Sequence, residues 1–345
     1  MAGPKYYPIL KWKKGEQDAV RYLDTADQAV MLPVLEVLAK PGADLRSALG
    51  AQLERAHGDF FPFGIDGRNV WQAGSVFNPL LRLCAGLQKD GYLAYPVINV
   101  PDLFANLGNL AALKEFSIVI LRLRLQLLTL VQAVKVIKDV RKAVGRKVQV
   151  HVIYDFGPIG DAPEPWLRGF VEPFVRDTLA GGDASFVSMA GGSFPLTLTG
   201  IPVGAQNKLR RKEWHVWQDL RLQLGCADVR FGDFTVTNPE PLEIADPAAM
   251  NPSAAIRYAL DGEWWLLRGK GVKTAGAGGF GQYNTLCKLL VASPQYAGAP
   301  FSYGDGRYSF HAQPSQTKTG NLTTWRRDAA NHHLVQTARR LNVLI

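Results

Sequence analysis

Four carboxylates, Glu36, Asp66, Asp155 and Asp233, each close a short apolar run in this 345-residue chain. Other runs close on Lys11, Asn99, Arg122 and Arg124, and Lys13 follows directly on the first. Gathered in one place, the carboxylates could supply oxygen ligands to Mg²⁺, while the lysine and arginines hold a phosphate; the matching chemistry is metal-assisted phosphodiester hydrolysis. No acid-x-acid or His-x-acid motif fixes two of these ligands locally, so the fold must bring them together. Near the C-terminus, Asn331-His332-His333 adds imidazoles that titrate near neutrality and could act as general acid or base. Asp305, in Ser302-Tyr303-Gly304-Asp305, and Arg268 complete the polar candidates.

The elements carrying these residues repeat. Apolar runs end near residues 11, 36, 66, 99, 124, 155, 188 and 233, and helix-favouring segments lie between them. The spacing is close to the roughly 30 residues of one βα unit, and eight units match a (β/α)8 barrel. In such a barrel all strands aim their C-terminal ends at one face, so the polar run ends become a ring around a common pocket. A doubly wound open sheet would need a glycine-rich turn after its first strand, where "KWKKGEQDA" offers only Gly15.

The expected fold is therefore a TIM-like barrel over residues 1–240, with 241–345 as a C-terminal hairpin and helical elaboration packed on it. Within the latter, "AAIRYALDGEWWLLRG" reads as two strands around an Asp261-Gly262 turn, followed by helices over 282–291 and 323–341. Alternation along the second strand sends Trp264 and Trp265 to opposite faces, one of them outward as a partner surface. If the ring is a site, the segment from Ser302 to His333 should cross it, placing Asp305, Asn331 or a histidine near Asp155 and Asp233.

Further features add less. Lys208 to Trp217 reads as a helix interleaving basic and aromatic residues, suited either to nucleic acid or to packing with one solvated face. Gly276 to Gly281 matches G-x-G-x-x-G but follows a hairpin strand and lacks a nearby acid for a ribose. Three scattered cysteines make no disulfide framework, which points to a reducing, cytoplasmic setting without a membrane span. The net charge of +9 suits either a polyanionic partner such as a nucleotide or nucleic acid or simply a solvated basic surface.

The segments "YPILKWKKGE", "LPVLEV", "VIYDFG", "FGDF", "IRYALDGEWWLLRG", "FSYGD" and "WRRDAANHHL" together resemble the Beta family of bacterial and phage proteins, in order and spacing, from Tyr7 to Leu334. The resemblance implies a bacterial or mobile-element origin and a role in phage–host conflict, and it raises His332 and His333 as site residues. Two functions follow as expectations. One is binding or hydrolysis of a phosphate-containing ligand in antiviral defence, with Asp155, Asp233, His332 and His333 as the catalytic group. The other is a non-catalytic scaffold that binds a partner protein in a defence complex.

Overall fold

Eight of the apolar runs become strands because each is flanked by a helix that covers its outer face, leaving the chain to close on itself. The computed structural model describes residues 3–38, 44–57, 61–204, 206–225, 228–240 and 249–345. The first half of the chain holds β1 (Tyr6–Lys11), α1 (Lys14–Arg21), α2 (Thr25–Gln28), β2 (Val34–Glu36), α3 (Leu45–His57), β3 (Phe63–Asp66), α4 (Phe77–Lys89), β4 (Ala94–Asn99) and α5 (Val100–Ala105). Next come β5 (Ile118–Arg124), α6 (Leu130–Val144), β6 (Gln149–Pro158), α7 (Glu164–Gly181), β7 (Phe186–Gly192), β8 (Gln206–Arg210), α8 (Lys212–Leu224) and β9 (Val229–Asp233). The C-terminal part adds β10 (Ser253–Ala259), β11 (Glu263–Gly271), α9 (Gln282–Val291), α10 (Tyr303–Ala312) and α11 (Leu322–Leu344).

Strands β1 to β7 and β9 form a closed parallel barrel, the expected (β/α)8 architecture. Its interior is a small apolar plug of Tyr7, Ile9, Val34, Val97, Ile120, Ile153, Ala190 and Phe234. Alternate residues, among them Tyr6, Leu10, Leu121, Val152 and Phe231, face the helices and join the larger core. Period-2 alternation thus decides whether a polar residue opens into the barrel or into the helix layer.

The elaboration is larger than a hairpin with two helices. β8 leaves the β7 connection and pairs with β11, giving the antiparallel order β10-β11-β8. It lacks the apolar alternation of a central strand, and it sits at an edge. The helix expected from Lys208 therefore starts at Lys212. α10 forms over a stretch with two glycines, started by Ser302, whose Oγ accepts from the amide of Asp305 at 3.1 Å. α11 packs along α1 and β1, while Arg221 of α8 donates to the carbonyl of Leu344, so the last helix fills the eighth outer position of the barrel. Among the described residues no helix is long and apolar enough to cross a membrane. Cys84 and Cys287 are buried free thiols; Cys226 lies outside the described residues.

Candidate functional site

At the C-terminal end of the barrel, Lys11, Glu36 and Asp66 stand in one register row on β1, β2 and β3, and Asn99 faces Arg122 across β4 and β5. Arg122 is the centre. Its Nε donates to Asp155 Oδ2 at 2.8 Å, and its Nη1 donates to Glu36 Oε1 at 2.8 Å and to Asp66 Oδ2 at 2.9 Å. Asp66 also accepts from Arg68 Nε at 2.9 Å and Asn99 Nδ2 at 3.0 Å, and Asp155 Oδ1 accepts from the amide of Gly157 at 2.6 Å. Gly157 has φ +67°, which favours glycine, and the end of the Arg124 side chain fills the space a Cβ would take.

The electrostatics follow from this arrangement. Burial disfavours the charged form of Arg122, but Asp155, Glu36 and Asp66 outweigh it and raise its pKa. Burial works against Asp66 too, yet Arg68 and Arg122 hold its carboxyl below the usual range. The guanidinium of Arg122 occupies the space between the three carboxylates where a cation would sit. Among the described residues no group of three or more His, Cys, Asp or Glu side chains is disposed to hold a metal ion.

Above this floor opens a cavity of about 930 Å³, walled by the barrel on one side and by β10, β11 and the start of α11 on the other. Its charged lining is mostly cationic. Lys13, Arg124, Arg257 and Arg268 line it, and none of them has a carboxylate partner among the described residues. Lys11 Nζ instead donates to the carbonyls of Asn238 and Glu240, at 2.7 and 2.6 Å. Arg257 donates to the carbonyl of Val236 at 2.6 Å and lies over the Phe194 ring; burial, then the neighbouring Arg326, lowers its pKa. Arg268 is anchored by Ser253 Oγ and the carbonyl of Ile201.

Among the described residues one buried carboxylate sits among these cations without a close partner. Glu16, in the first turn of α1, is 3% exposed, lines the cavity and lies 3.9 Å from Arg326. Burial raises its pKa despite Arg326, Lys13 and Lys11. Burial likewise lowers that of Lys11, which Glu36 partly offsets.

The sequence-derived candidates separate into three places. Lys11, Lys13, Glu36, Arg122, Arg124 and Arg268 line the cavity, with Asp66, Asn99 and Asp155 bound to Arg122 or Arg68 beneath it. Asp233 is not with them. It shares its face of β9 with Phe231, turned outward, where its Oδ1 accepts from Tyr6 Oη at 2.6 Å. Its Oδ2 accepts from His333 Nε2 at 2.7 Å and Arg211 Nη2 at 3.2 Å. One expected contact, histidine with Asp233, is therefore present, but in the helix layer and away from Asp155.

His332 belongs to a third cluster. Its Nδ1 lies 2.7 Å from Asp305 Oδ2, its ring stacks on Tyr258 at 3.8 Å, and Tyr258 Oη donates to Asp305 Oδ1. Asn331 bridges helices, accepting from the amide of Gly304 and donating to the carbonyl of Ala19. The reason is the course of α11: its first turn reaches the cavity, but by residue 332 a helix rising about 1.5 Å per residue has descended well into the flank.

Two other expectations change. Trp264 and Trp265 do face opposite ways, yet both are 1% exposed, because the sheet is covered on both sides, by the barrel layer and by α9 to α11. In the Lys208–Trp217 segment, Lys208 pairs with Glu263, Arg210 with Glu164 and Arg211 with Asp233, while Trp214 and Trp217 are buried. Its cations are spoken for. The residues overlooked from sequence are Glu16, Arg68, Arg257 and Arg326; Arg257 carried a signal, since it alternates with buried Ile256 and Tyr258.

Over residues 6–339 the sequence matches the family model described as Beta protein. No curated protein matches it. Among solved structures, the biosynthetic arginine decarboxylase of Campylobacter jejuni aligns over 99% of this chain and 56% of its own, at 9% identity and TM-score 0.43. A protein described as a lyase/mutase from Burkholderia cenocepacia aligns over 68% of this chain and 77% of its own, at 14% identity and TM-score 0.36. The chain spans little more than half the length of the decarboxylase.

Proposed function

The chain belongs to the Beta protein family, and we propose that it binds a phosphate-bearing ligand in the cavity at the C-terminal mouth of its barrel. The observation that carries this reading is the set of cations without carboxylate partners among the described residues, Lys13, Arg124, Arg257 and Arg268, converging on one cavity. Arginines at the surface of this protein mostly find acids: Arg46 with Asp90, Arg176 with Glu172, Arg210 with Glu164. Cations held in a cavity without such partners suit an anion from outside, and guanidinium forks match phosphate oxygens. The cavity size is that of small-molecule sites.

Glu16 and Lys11 both line it, and burial raises the proton affinity of the first and lowers that of the second, so both are placed to move a proton beside that ligand. The phage-defence setting is part of this proposal, as the context in which such a ligand would be sensed or turned over. The partner-protein alternative loses its expected contact, because Trp265 is buried.

Calorimetric titration with a panel of nucleotides at fixed low salt tests the reading. Arg257→Ala should weaken binding about tenfold or more, whereas Arg46→Ala, removing a paired surface arginine, should leave it unchanged. Equal effects of the two changes, or no binding by any nucleotide, would overturn it.

A further inference from the structure

The cations are divided between two walls that come from separate parts of the chain. Lys13 and Arg124 belong to the barrel, at the end of β1 and of β5; Arg257, Arg268 and Arg326 belong to β10, β11 and α11. A single phosphate is satisfied by one or two guanidinium forks, and it would leave the opposite wall unneutralised. Resting on the proposed anion site, we infer that the natural ligand is a nucleotide-sized molecule carrying at least two phosphate groups, held between the barrel wall and the sheet wall.

Three further observations support that class. The floor beneath the cavity is closed by the Arg122 network, so a ligand is held laterally between walls rather than inserted down the barrel axis. The aromatic residues lining the cavity, Tyr283 and Trp325, stack on each other at 4.2 Å and are buried, so their faces are already covered. A single-stranded nucleic acid would need free ring faces along an open groove. Among the described residues none of Lys13, Arg124, Arg257 and Arg268 is ion-paired with a carboxylate, and the nearest cation to buried Glu16, Arg326 at 3.9 Å, is left in place. The variants below should therefore fold.

The test compares orthophosphate, pyrophosphate, tripolyphosphate and a short single-stranded oligonucleotide by calorimetry on the full chain, at one salt concentration. Two linked anions engaging two walls gain by effective concentration, so tripolyphosphate should bind about 100-fold or more tightly than orthophosphate. The double changes Lys13→Ala/Arg124→Ala and Arg257→Ala/Arg268→Ala should each reduce tripolyphosphate to nearly the orthophosphate level. Orthophosphate and tripolyphosphate binding within about threefold of each other would overturn the two-phosphate inference while leaving the anion site standing. An oligonucleotide binding more tightly than tripolyphosphate would overturn the small-ligand class. Failure of every phosphate probe to bind would remove the underlying site as well.

Discussion

The networks around Arg122 and around Asp233 are built from the same kinds of residue and sit at the ends of neighbouring parts of one barrel, yet they do different work. In the first, Arg122 on β5 gathers Glu36, Asp66 and Asp155 from three other strands, all facing inward. It is a floor, and the cavity lies above it. In the second, Asp233 on β9 gathers Tyr6 from β1, Arg211 from the start of α8 and His333 from α11, all facing outward. It is a rivet between sheet and helices, and neither Asp233 nor His333 lines the cavity. One residue of strand parity separates a carboxylate that floors the cavity from one that fastens the eighth helix.

The comparison breaks most readily at Arg122. Arg122→Ala would leave three buried carboxylates facing one another, with Arg68 and the neutral Asn99 still engaging Asp66. Breaking a buried ion cluster from one side costs about 3–5 kcal/mol, and the loss should register in urea unfolding as a large fall in midpoint. A cost below about 1 kcal/mol, the level of an exposed pair, would mean that water already reaches these carboxylates and that the floor is part of the open cavity.

The outer network should betray itself through pH. Glu213, 1% exposed, accepts from the amide of Ser193 at 3.2 Å and lies 3.8 Å from Arg211; burial, against the pull of Arg211, raises its pKa to about 7. The folded chain thus keeps a proton that the unfolded chain releases above about pH 4.3. Its stabilising contribution is complete below that pH and disappears as pH rises through about 7. Relative to Glu213→Gln, the native protein should therefore lose on the order of 3 kcal/mol between pH 4 and 9. His333 acts in the other direction: burial lowers its pKa, so its contribution is present above about pH 6.5 and is lost as pH falls. The Gln variant should retain that acid limb. Parallel stability curves for the two proteins would show that Glu213 is already solvated, and the rivet would then differ little from a surface ion pair.

Much of this was legible in the sequence. Each barrel strand is an apolar run with a polar end, and the helices between them follow from periodicity, so the eightfold order could be read without knowing the pairings. Which face of β9 carries Asp233 could not, since parity becomes meaningful only once the closed barrel fixes Tyr7, Gly232 and Ala190 side by side on the inner face. β8 escaped notice because an edge strand needs no apolar alternation, and α10 because its two glycines weaken the helical signal while packing and Ser302 restore it. The cavity cations Arg257 and Arg326 lie far from the barrel strands in sequence. They meet Lys13 and Arg124 only because α11 folds back to complete the outer ring, a tertiary event that no local pattern announces.

The smallest expected effect concerns the cavity alone, where the floor is neutralised and the walls are not. Glu16 is surrounded by Lys11 and Lys13 at the end of β1, Arg257 on β10 and Arg326 on α11. An anion drawn to those cations approaches the Glu16 carboxyl as well, and repulsion is relieved if the carboxyl takes up a proton. Burial already raises its pKa above the ordinary value, and a bound phosphate raises it further. The sign is then fixed: binding takes up a proton, affinity rises as pH falls through the carboxyl's titration, and Glu16→Gln, neutral at every pH, removes that dependence. Tripolyphosphate titrates in the same range, but equally for both proteins, so the difference between their affinities isolates Glu16. At pH 8 the Gln variant should bind about tenfold more tightly than the native chain, a gain of about 1.4 kcal/mol, and the two should converge near pH 4. A native chain that binds as tightly as the variant at pH 8 would place the phosphate out of reach of Glu16, on the far side of the Arg124 wall.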